Sequence, residues 1–340
     1  MQSFGKSTIV VCGGAGFIGS NFIRQLLAMH PKARVVCVDA LTYAGNRNNL
    51  RGLHKERFIF VKGDITDHKH MERVFLKYQP SYVINFAAES HVDRSIHSGA
   101  EAFVRTNVLG IAVLLGALRD VKLLKKFVQV STDEVYGALP LKSKKKFTEV
   151  SPLLPNSPYA SSKAAADLIA RSFCKTYGLP VVITRCSNNY GPYQHPEKLI
   201  PYSITRLMEG KPIAIYGDGL YVRDWIHVDD HCSALALALL HGEPGEVYNI
   251  GADDEVSNIA LARRMLAYFK KDESDILYVK DRPGHDRRYA VNASKIQKQL
   301  GWKPRHSLNK SFKMTVEWYI KNNSWVKRAL KRAGVANAHI

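Results

Sequence analysis

Three shortages frame this 340-residue chain. Cysteine is scarce and its count is odd. Cys12, Cys37, Cys174, Cys186 and Cys232 show no paired spacing, which argues against a disulfide framework and for free thiols in a reducing compartment. Long apolar runs are missing too: none approaches the ~20 residues a spanning helix needs. Met1 to Lys6 is too short and polar for a secretory leader, so the expectation is a cytoplasmic protein with no membrane partner. The third shortage is of acid, 30 Asp and Glu against 49 Lys and Arg, for a formal charge of +19 and a pI near 9.7. Such an excess draws anions. The basic clusters, Lys142 to Lys146, Lys270-Lys271 and Lys327 to Arg332, are scattered and lack interleaved aromatics, so no nucleic-acid partner is expected. No metal site is expected either.

What is present is a core. At 46% hydrophobic the chain can fill one large or two moderate domains. Short β-branched runs (Thr8–Val11, Val35–Asp39, Phe58–Lys62, Tyr82–Phe86, Phe127–Ser131, Val181–Thr184) alternate with amphipathic stretches (Asn21–Met29, His70–Tyr78, Ala102–Leu118, Ala160–Tyr177). Near-continuous apolar strands imply a parallel sheet covered on both faces. The expected fold is therefore α/β, a doubly wound parallel Rossmann sheet with a smaller, mixed α/β C-terminal substrate lobe. After Asn188 the pattern breaks into loop. Residues 1–187 with about 229–252 are assigned to the dinucleotide-binding domain, about 188–228 with 253–325 to the substrate lobe, and 326–340 to a frayed basic tail.

Gly13-Gly14-Ala15-Gly16-Phe17-Ile18-Gly19 follows the first strand and opens a helix. Its glycines let the backbone approach a pyrophosphate resting on the helix N-terminus. Asp39 ends the second strand twenty residues beyond Gly19, where a carboxylate binds ribose hydroxyls and repels a 2′-phosphate. NAD is favoured over NADP. Asp64-Ile65 and Ala87-Ala88 with Ser90 fall at later strand ends, where such ligands lie.

Asn156-Ser157-Pro158 precedes Tyr159, with Ser157 as N-cap and Pro158 in the first turn. Tyr159 and Lys163 then share one helix face. A neighbouring ammonium and a positive nicotinamide ring favour the phenolate, which makes Tyr159 a base for an alcohol. Thr132-Asp133-Glu134 closes another strand, and two adjacent carboxylates suggest an elimination. A turn there brings both to one cleft, and a shared, partly dry site separates their pKa values into acid and base. Read by itself, the pair could equally be two solvated turn carboxylates.

The glycine loop, Ser131 and the Tyr159/Lys163 pair resemble the extended short-chain dehydrogenase/reductase superfamily. Long segments from Asp39–Asn46, Ala87–Ser95, Ser131–Gly137 and Cys186–Tyr193 to Pro196–Pro201, Val222–Trp225 and Asp281–Tyr289 are similar to the dTDP-glucose 4,6-dehydratases within it, over nearly the whole chain.

That resemblance implies tightly bound NAD, a dTDP-glucose substrate and a hydro-lyase activity giving dTDP-4-keto-6-deoxyglucose for deoxysugars such as rhamnose. Tyr159 would take the C4 hydroxyl proton, Thr132 would orient that oxygen, Glu134 would take the C5 proton and Asp133 would protonate the departing C6 hydroxyl. Leu41, Thr42, Thr106, Ser131 and Asn189 would join the NAD site. Ser90, Asn188, Lys198, Leu199, Tyr216, Arg223, Asn258, Arg282 and His285 would line the sugar-nucleotide site. A homodimer pairing Ala102–Leu118 with Ala160–Tyr177 across a two-fold axis is also implied.

Three alternatives stay open: a UDP- or CDP-glucose 4,6-dehydratase, a nucleotide-sugar 4-epimerase, which needs no carboxylate pair, and a basic NAD-binding protein without catalysis. Arg223, beside Asp224, could also be no more than half of a surface ion pair.

Overall fold

The computed structural model describes residues 3–332. Seven strands form one parallel sheet: β1 (Thr8–Cys12), β2 (Arg34–Asp39), β3 (Phe58–Lys62), β4 (Tyr82–Asn85), β5 (Lys126–Thr132), β6 (Val181–Cys186) and, further on, Val247–Ile250. Their spatial order is β3-β2-β1-β4-β5-β6 followed by Val247–Ile250. The strand order thus reverses between β1 and β4, which opens a crevice at the strand carboxyl ends.

The strands are apolar throughout because both faces are covered. In β1, Ile9 and Val11 face one core while Val10 and Cys12 face the other. Helix α1 (Phe17–Met29) packs on the first face. Helix α2 (His68–Tyr78), capped by Asp67, packs on the second. The short helix α3 (Val92–His97) follows β4. A single turn α4 (Glu101–Phe103) then passes through a π-helical turn, Val104–Leu109, into α5 (Gly110–Leu118) on the second face. Helix α6 (Pro158–Tyr177) lies beside α5. It starts at Ser157, whose side chain accepts from the Ala160 amide with Pro158 in the first turn, and stops at Gly178, where φ is +68°.

The chain then leaves the sheet. Strand β7 (Asn188–Tyr190), helix α7 (Leu199–Met208), β8 (Ile213–Tyr216) and β9 (Val222–His227) start the second lobe. Helix α8 (Val228–His241) returns to the first face, and β10 (Val247–Ile250) is the seventh strand of the sheet. Strand β11 (Glu255–Ser257) pairs antiparallel with β9, α9 (Asn258–Phe269) follows, and β12 (Ile276–Val279) pairs with β8. Helices α10 (Ser294–Leu300), α11 (Leu308–Lys321) and α12 (Asn323–Arg332) complete the described residues.

Several expectations need correction. Residues 326–332 are not a frayed tail. They belong to α12, whose Val326 and Ala329 are buried in the second-lobe core with Trp325; residues 333–340 lie outside the described part. The segment around α10 does not belong to the substrate lobe, because Ala293, Ile296 and Trp302 pack into the sheet's first core against α8. One 18-residue stretch, Glu101–Leu118, does reach a mean hydropathy of 1.5. Half of it is buried against the domain and a π-helical turn interrupts it, as expected of a core helix.

Candidate active site

The glycine turn comes first, because β1 ends there and α1 begins. Gly13 takes a left-handed φ of +73°, and a Cβ on it would stand 2.5 Å from the Ala87 amide. A Cβ on Gly19 would stand 2.5 Å from the Gly13 carbonyl. Only glycine lets the turn press against both the β4 end and its own helix. Gly16 at the N-cap offers no side-chain acceptor and the first turn of α1 holds no acidic residue, so the opening amides of α1 remain available to an anion. Asp39 turns back onto this loop, its carboxylate accepting from the Ala15 amide at 2.8 Å and from the Leu41 amide at 2.7 Å. Burial raises its pKa against those two bonds.

A cavity of about 320 Å³ runs from this turn across the sheet ends. Gly13, Gly16, Phe17, Ile18, Gly19, Asp39, Thr42, Asp64, Ile65, Ala87, Ala88, Ser90, Thr106, Ser131 and Asn189 all line it, as do Thr132, Asp133, Glu134, Tyr159 and Lys163. Leu41 does not; it takes a left-handed φ of +58° and its side chain packs against the sheet's first core. Thr106 reaches the cavity from the π-helical turn. The next residue, Asn107, pins that turn by accepting from the Glu89 amide at 2.9 Å and donating to Ser162 Oγ at 2.8 Å. A bare helix N-terminus, a glycine cradle and an acid at the ribose position fit a dinucleotide without a 2′-phosphate.

The carboxylate pair is placed by a 3-10 turn, Asp133–Tyr136, that ends β5. Thr132 Oγ1 accepts from the Glu134 amide at 3.3 Å, and Tyr136 anchors the far end. The Tyr136 hydroxyl donates to Asn249 Oδ1 at 2.8 Å and accepts from Arg185, which also pairs with Asp167 on α6 at 2.8 Å. The same buried network thus ties the turn to the helix carrying Tyr159 and Lys163. Turning the strand end into a 3-10 turn puts both carboxylates on one cavity.

Their surroundings differ. Asp133 is buried, one of its oxygens has no partner, and burial followed by the charge of Glu134 pushes its pKa well up. Glu134 is half-buried. Its pKa is raised chiefly by burial, while Arg282, Arg223 and Lys198 pull it back.

Tyr159 and Lys163 are both buried. The sequence led us to expect that Lys163 would lower the tyrosine. Instead the Lys163 ammonium donates to the Val130 carbonyl at 2.6 Å, and the phenol is raised by burial and then by the charge of Glu134, opposed by a hydrogen bond with Thr132. The Lys163 pKa is lowered by burial, with Asp167 opposing.

A second cavity, of about 1110 Å³, opens from the first; Tyr43, Ser90, Glu134, Asn188, Glu197 and Lys198 line both. Leu199, Tyr216, Arg223, Asn258, Arg282 and His285 line it as well. Arg223 is no surface ion pair. It is buried, donates only to the Val222 carbonyl at 2.8 Å and lies 4.3 Å from the Tyr289 ring. Asp224 points elsewhere, accepting from the Asp254 amide at 2.8 Å. A buried guanidinium with no carboxylate within bridging distance among the described residues is a ready anion site. Arg282 pairs with Asp93 at 3.3 Å, and Lys198 donates to the Ser90 carbonyl at 2.9 Å. His285 stacks on Tyr221 at 3.7 Å and is pushed down to about 4 by burial, so it is neutral at neutral pH.

Tyr43, His91, Asp93, Arg94 and Glu197 lie in the segments that carry the resemblance but have no role legible in sequence. All five line the second cavity, with Arg94 over the Tyr43 ring at 4.4 Å. Trp325, Ala329 and Arg332, which line the first cavity from α12, gave no local signal at all.

A parallel sheet of this order, a glycine turn under a dinucleotide-sized cleft and a buried Tyr/Lys pair beside it define an extended short-chain dehydrogenase/reductase. The family model described as GDP-mannose 4,6 dehydratase matches residues 10–315. The dTDP-glucose 4,6-dehydratase of Xanthomonas campestris pv. campestris (strain B100) is 50% identical, over 95% of this chain and 96% of its own length.

The crystal structure of the dTDP-glucose 4,6-dehydratase of Streptomyces venezuelae, with NAD bound, superposes with a TM-score of 0.91 at 48% identity over 95% of this chain and 99% of that one. The corresponding enzyme of Bacillus anthracis str. Ames, in complex with NAD, gives 0.88 at 47% over 95% and 99%. The chain belongs to the nucleotide-sugar 4,6-dehydratase family and, within it, to the dTDP-glucose 4,6-dehydratases.

Proposed function

We propose that this chain converts dTDP-glucose to dTDP-4-keto-6-deoxyglucose and water, a hydro-lyase reaction that opens deoxysugar biosynthesis. The observation that carries the reading is that Asp133 and Glu134 line the same cavity as Tyr159, and that this cavity continues into one lined by Arg223, Arg282 and Lys198. A 4-epimerase needs no such carboxylate pair.

NAD, when bound, supplies the acceptor for the C4 hydride and the donor that returns it to C6. The residues that would hold it are the glycine turn, Asp39 and the strand-end residues around Ala87, Ser131 and Tyr159. Tyr159 takes the proton of the C4 hydroxyl. Burial and the charge of Glu134 raise the phenol in the empty site; the nearby Lys163 ammonium, and a positive nicotinamide ring when NAD is bound, would favour the phenolate. Thr132 orients the C4 oxygen.

Once C4 is a ketone, the C5 hydrogen is acidic. Glu134, whose charge three cations support, removes it. Asp133, whose protonated form burial and the charge of Glu134 favour, gives its proton to the leaving C6 hydroxyl. Arg223 and Lys198 offset the diphosphate, the first as a planar fork and the second as a point charge. Leu199 and Tyr216 sandwich the thymine, while Ser90, Asn188, Asn258 and the Arg282–His285 stretch complete the site.

Rhamnose is the proposed pathway product, and cytoplasm the proposed location. A homodimer is supported by apolar side chains left exposed on adjacent helices, Leu109 before α5 and Leu168 on α6, each roughly half exposed. Incubation with dTDP-, UDP- and CDP-glucose in parallel, without added NAD, tests the activity by mass analysis. Water loss from the dTDP sugar alone or in large excess is expected; equal loss from all three would remove the dTDP preference.

A further inference from the structure

The C-terminal helix reaches the cofactor cleft. Trp325, Ala329 and Arg332, one turn apart on a single face of α12, line the dinucleotide cavity at the end where Asp39 and the glycine turn stand. They are fixed there. Trp325 Nε1 donates to Asn49 Oδ1 at 2.8 Å, and Asn49 Nδ2 donates to the Ala15 carbonyl inside the glycine turn at 3.0 Å. Two hydrogen bonds thus join α12 to the loop that would cradle the pyrophosphate.

At the other end of this face, Arg332 donates to the Leu41 carbonyl at 2.9 Å, two residues beyond Asp39, and its positive charge acts on the Asp39 carboxylate. Asp39 uses one oxygen on the Ala15 amide of the glycine turn and the other on the Leu41 amide. An acceptor-only carboxylate can accept hydrogen bonds from ribose hydroxyls but cannot donate to their oxygens. The guanidinium beside it can, with donors left over after Leu41.

We infer that α12 is part of the cofactor site and that Arg332 acts with Asp39 to hold the adenosine ribose, keeping the dinucleotide bound between turnovers. This rests on the NAD reading above. In a cycle that removes a hydride and later restores it, a dinucleotide that left midway would strand the sugar as a ketone, so retention has chemical value. The same geometry has a second consequence for specificity. The 2′-phosphate of NADP is repelled by Asp39, yet an arginine already stands at the position that would receive it.

The test uses the full chain as purified. Bound dinucleotide is released and quantified after gel filtration, and the NAD dissociation rate is read on dilution, for wild type, Arg332→Ala, Arg332→Lys and Lys331→Ala. Lys331 is the charge control, on the same turn but not on the cavity. Arg332→Ala should lose NAD at least tenfold faster, Arg332→Lys by less, and Lys331→Ala at the wild-type rate. Equal loss from wild type and Arg332→Ala, or equal acceleration by Lys331→Ala, would overturn the assignment.

A second arm compares NADP affinity. Asp39→Asn should gain NADP binding and Asp39→Asn with Arg332→Ala should not; equal gain in both would also count against it. A wild-type chain that neither carries nor binds NAD would refute the underlying cofactor reading rather than the role of α12.

Discussion

Lys163 Nζ donates to the Val130 carbonyl at 2.6 Å, so the sheet and not the tyrosine one helical turn away holds this ammonium in place. The lysine is buried and stationed before any ligand arrives, and its charge can act on Tyr159 only through space. Lys163→Met keeps the bulk but removes the charge. Deprotonating Tyr159 then becomes harder, and since one pKa unit corresponds to about 1.4 kcal/mol, the rising limb of the pH–rate profile should move to higher pH by one unit or more. A uniform loss of activity with an unmoved profile would show that the lysine only positions ligands.

Glu134 and Asp133 should separate in an isotope experiment. Glu134→Gln is expected to retain NAD and abolish exchange of the C5 hydrogen with deuterated water. Asp133→Asn should leave that exchange measurable while slowing water loss by about 10²–10⁴-fold, the usual worth of a positioned acid. If Asp133→Asn stops C5 exchange and Glu134→Gln does not, the acid and base assignments must be reversed.

How much of this was written in local sequence depends on distance along the chain. The six β-branched runs became strands within a residue or two of their sequence bounds, because apolar strands between amphipathic helices have few other ways to bury themselves. The site residues at strand ends, such as Asp39, Ser131 and Asp133, were legible for the same reason: the fold sends every strand's carboxyl end to one crevice.

The contribution of α12 was not legible. Trp325 meets Asn49 across 276 residues, and in sequence its helix reads as basic and solvated. Trp302 in the sheet's core was hidden in the same way. Nor could sequence separate a surface Arg223–Asp224 pair from two side chains turned apart on a buried strand.

Asp224 should make stability depend on pH. Burial raises its folded-state pKa to about 6 from an unfolded value near 3.8. The stability tied to its protonated form is fully present below about pH 4 and lost as pH rises through 6. Asp224→Asn, which cannot ionise, should therefore gain on wild type across that window. The gain should approach roughly 3 kcal/mol at most and be flat above pH 7. Denaturant titrations at pH 4 and pH 7 check this; a gap that is equal at both would remove the linkage.

Arg223→Gln tests the anion site. The arginine is buried with no carboxylate at bridging distance, and Glu134 and Asp133 favour its charge only through space, so its loss should change the stability of the empty protein little. Affinity for the sugar nucleotide should fall at least tenfold, about 1.4 kcal/mol, when the fork is gone. A calorimetric titration with dTDP alone isolates this from catalysis. Unchanged dTDP affinity would place the diphosphate elsewhere.

Helices α5 and α6 pack on one another and on the sheet with their inner faces, yet Leu109 and Leu168 project outward at 49% and 57% exposure, with Val104 and Tyr177 similarly uncovered. A two-fold partner packed on these helices would bury such side chains against its own copies. Leu168→Glu puts a charge at that position in each copy, and like charges brought face to face in an apolar seam are costly. Light scattering on the wild type should give a dimer and on Leu168→Glu a monomer that still binds NAD, because the dinucleotide cavity opens at the strand ends. A wild-type monomer would refute the dimer, and a dimer that survives Leu168→Glu would move its interface off these two helices.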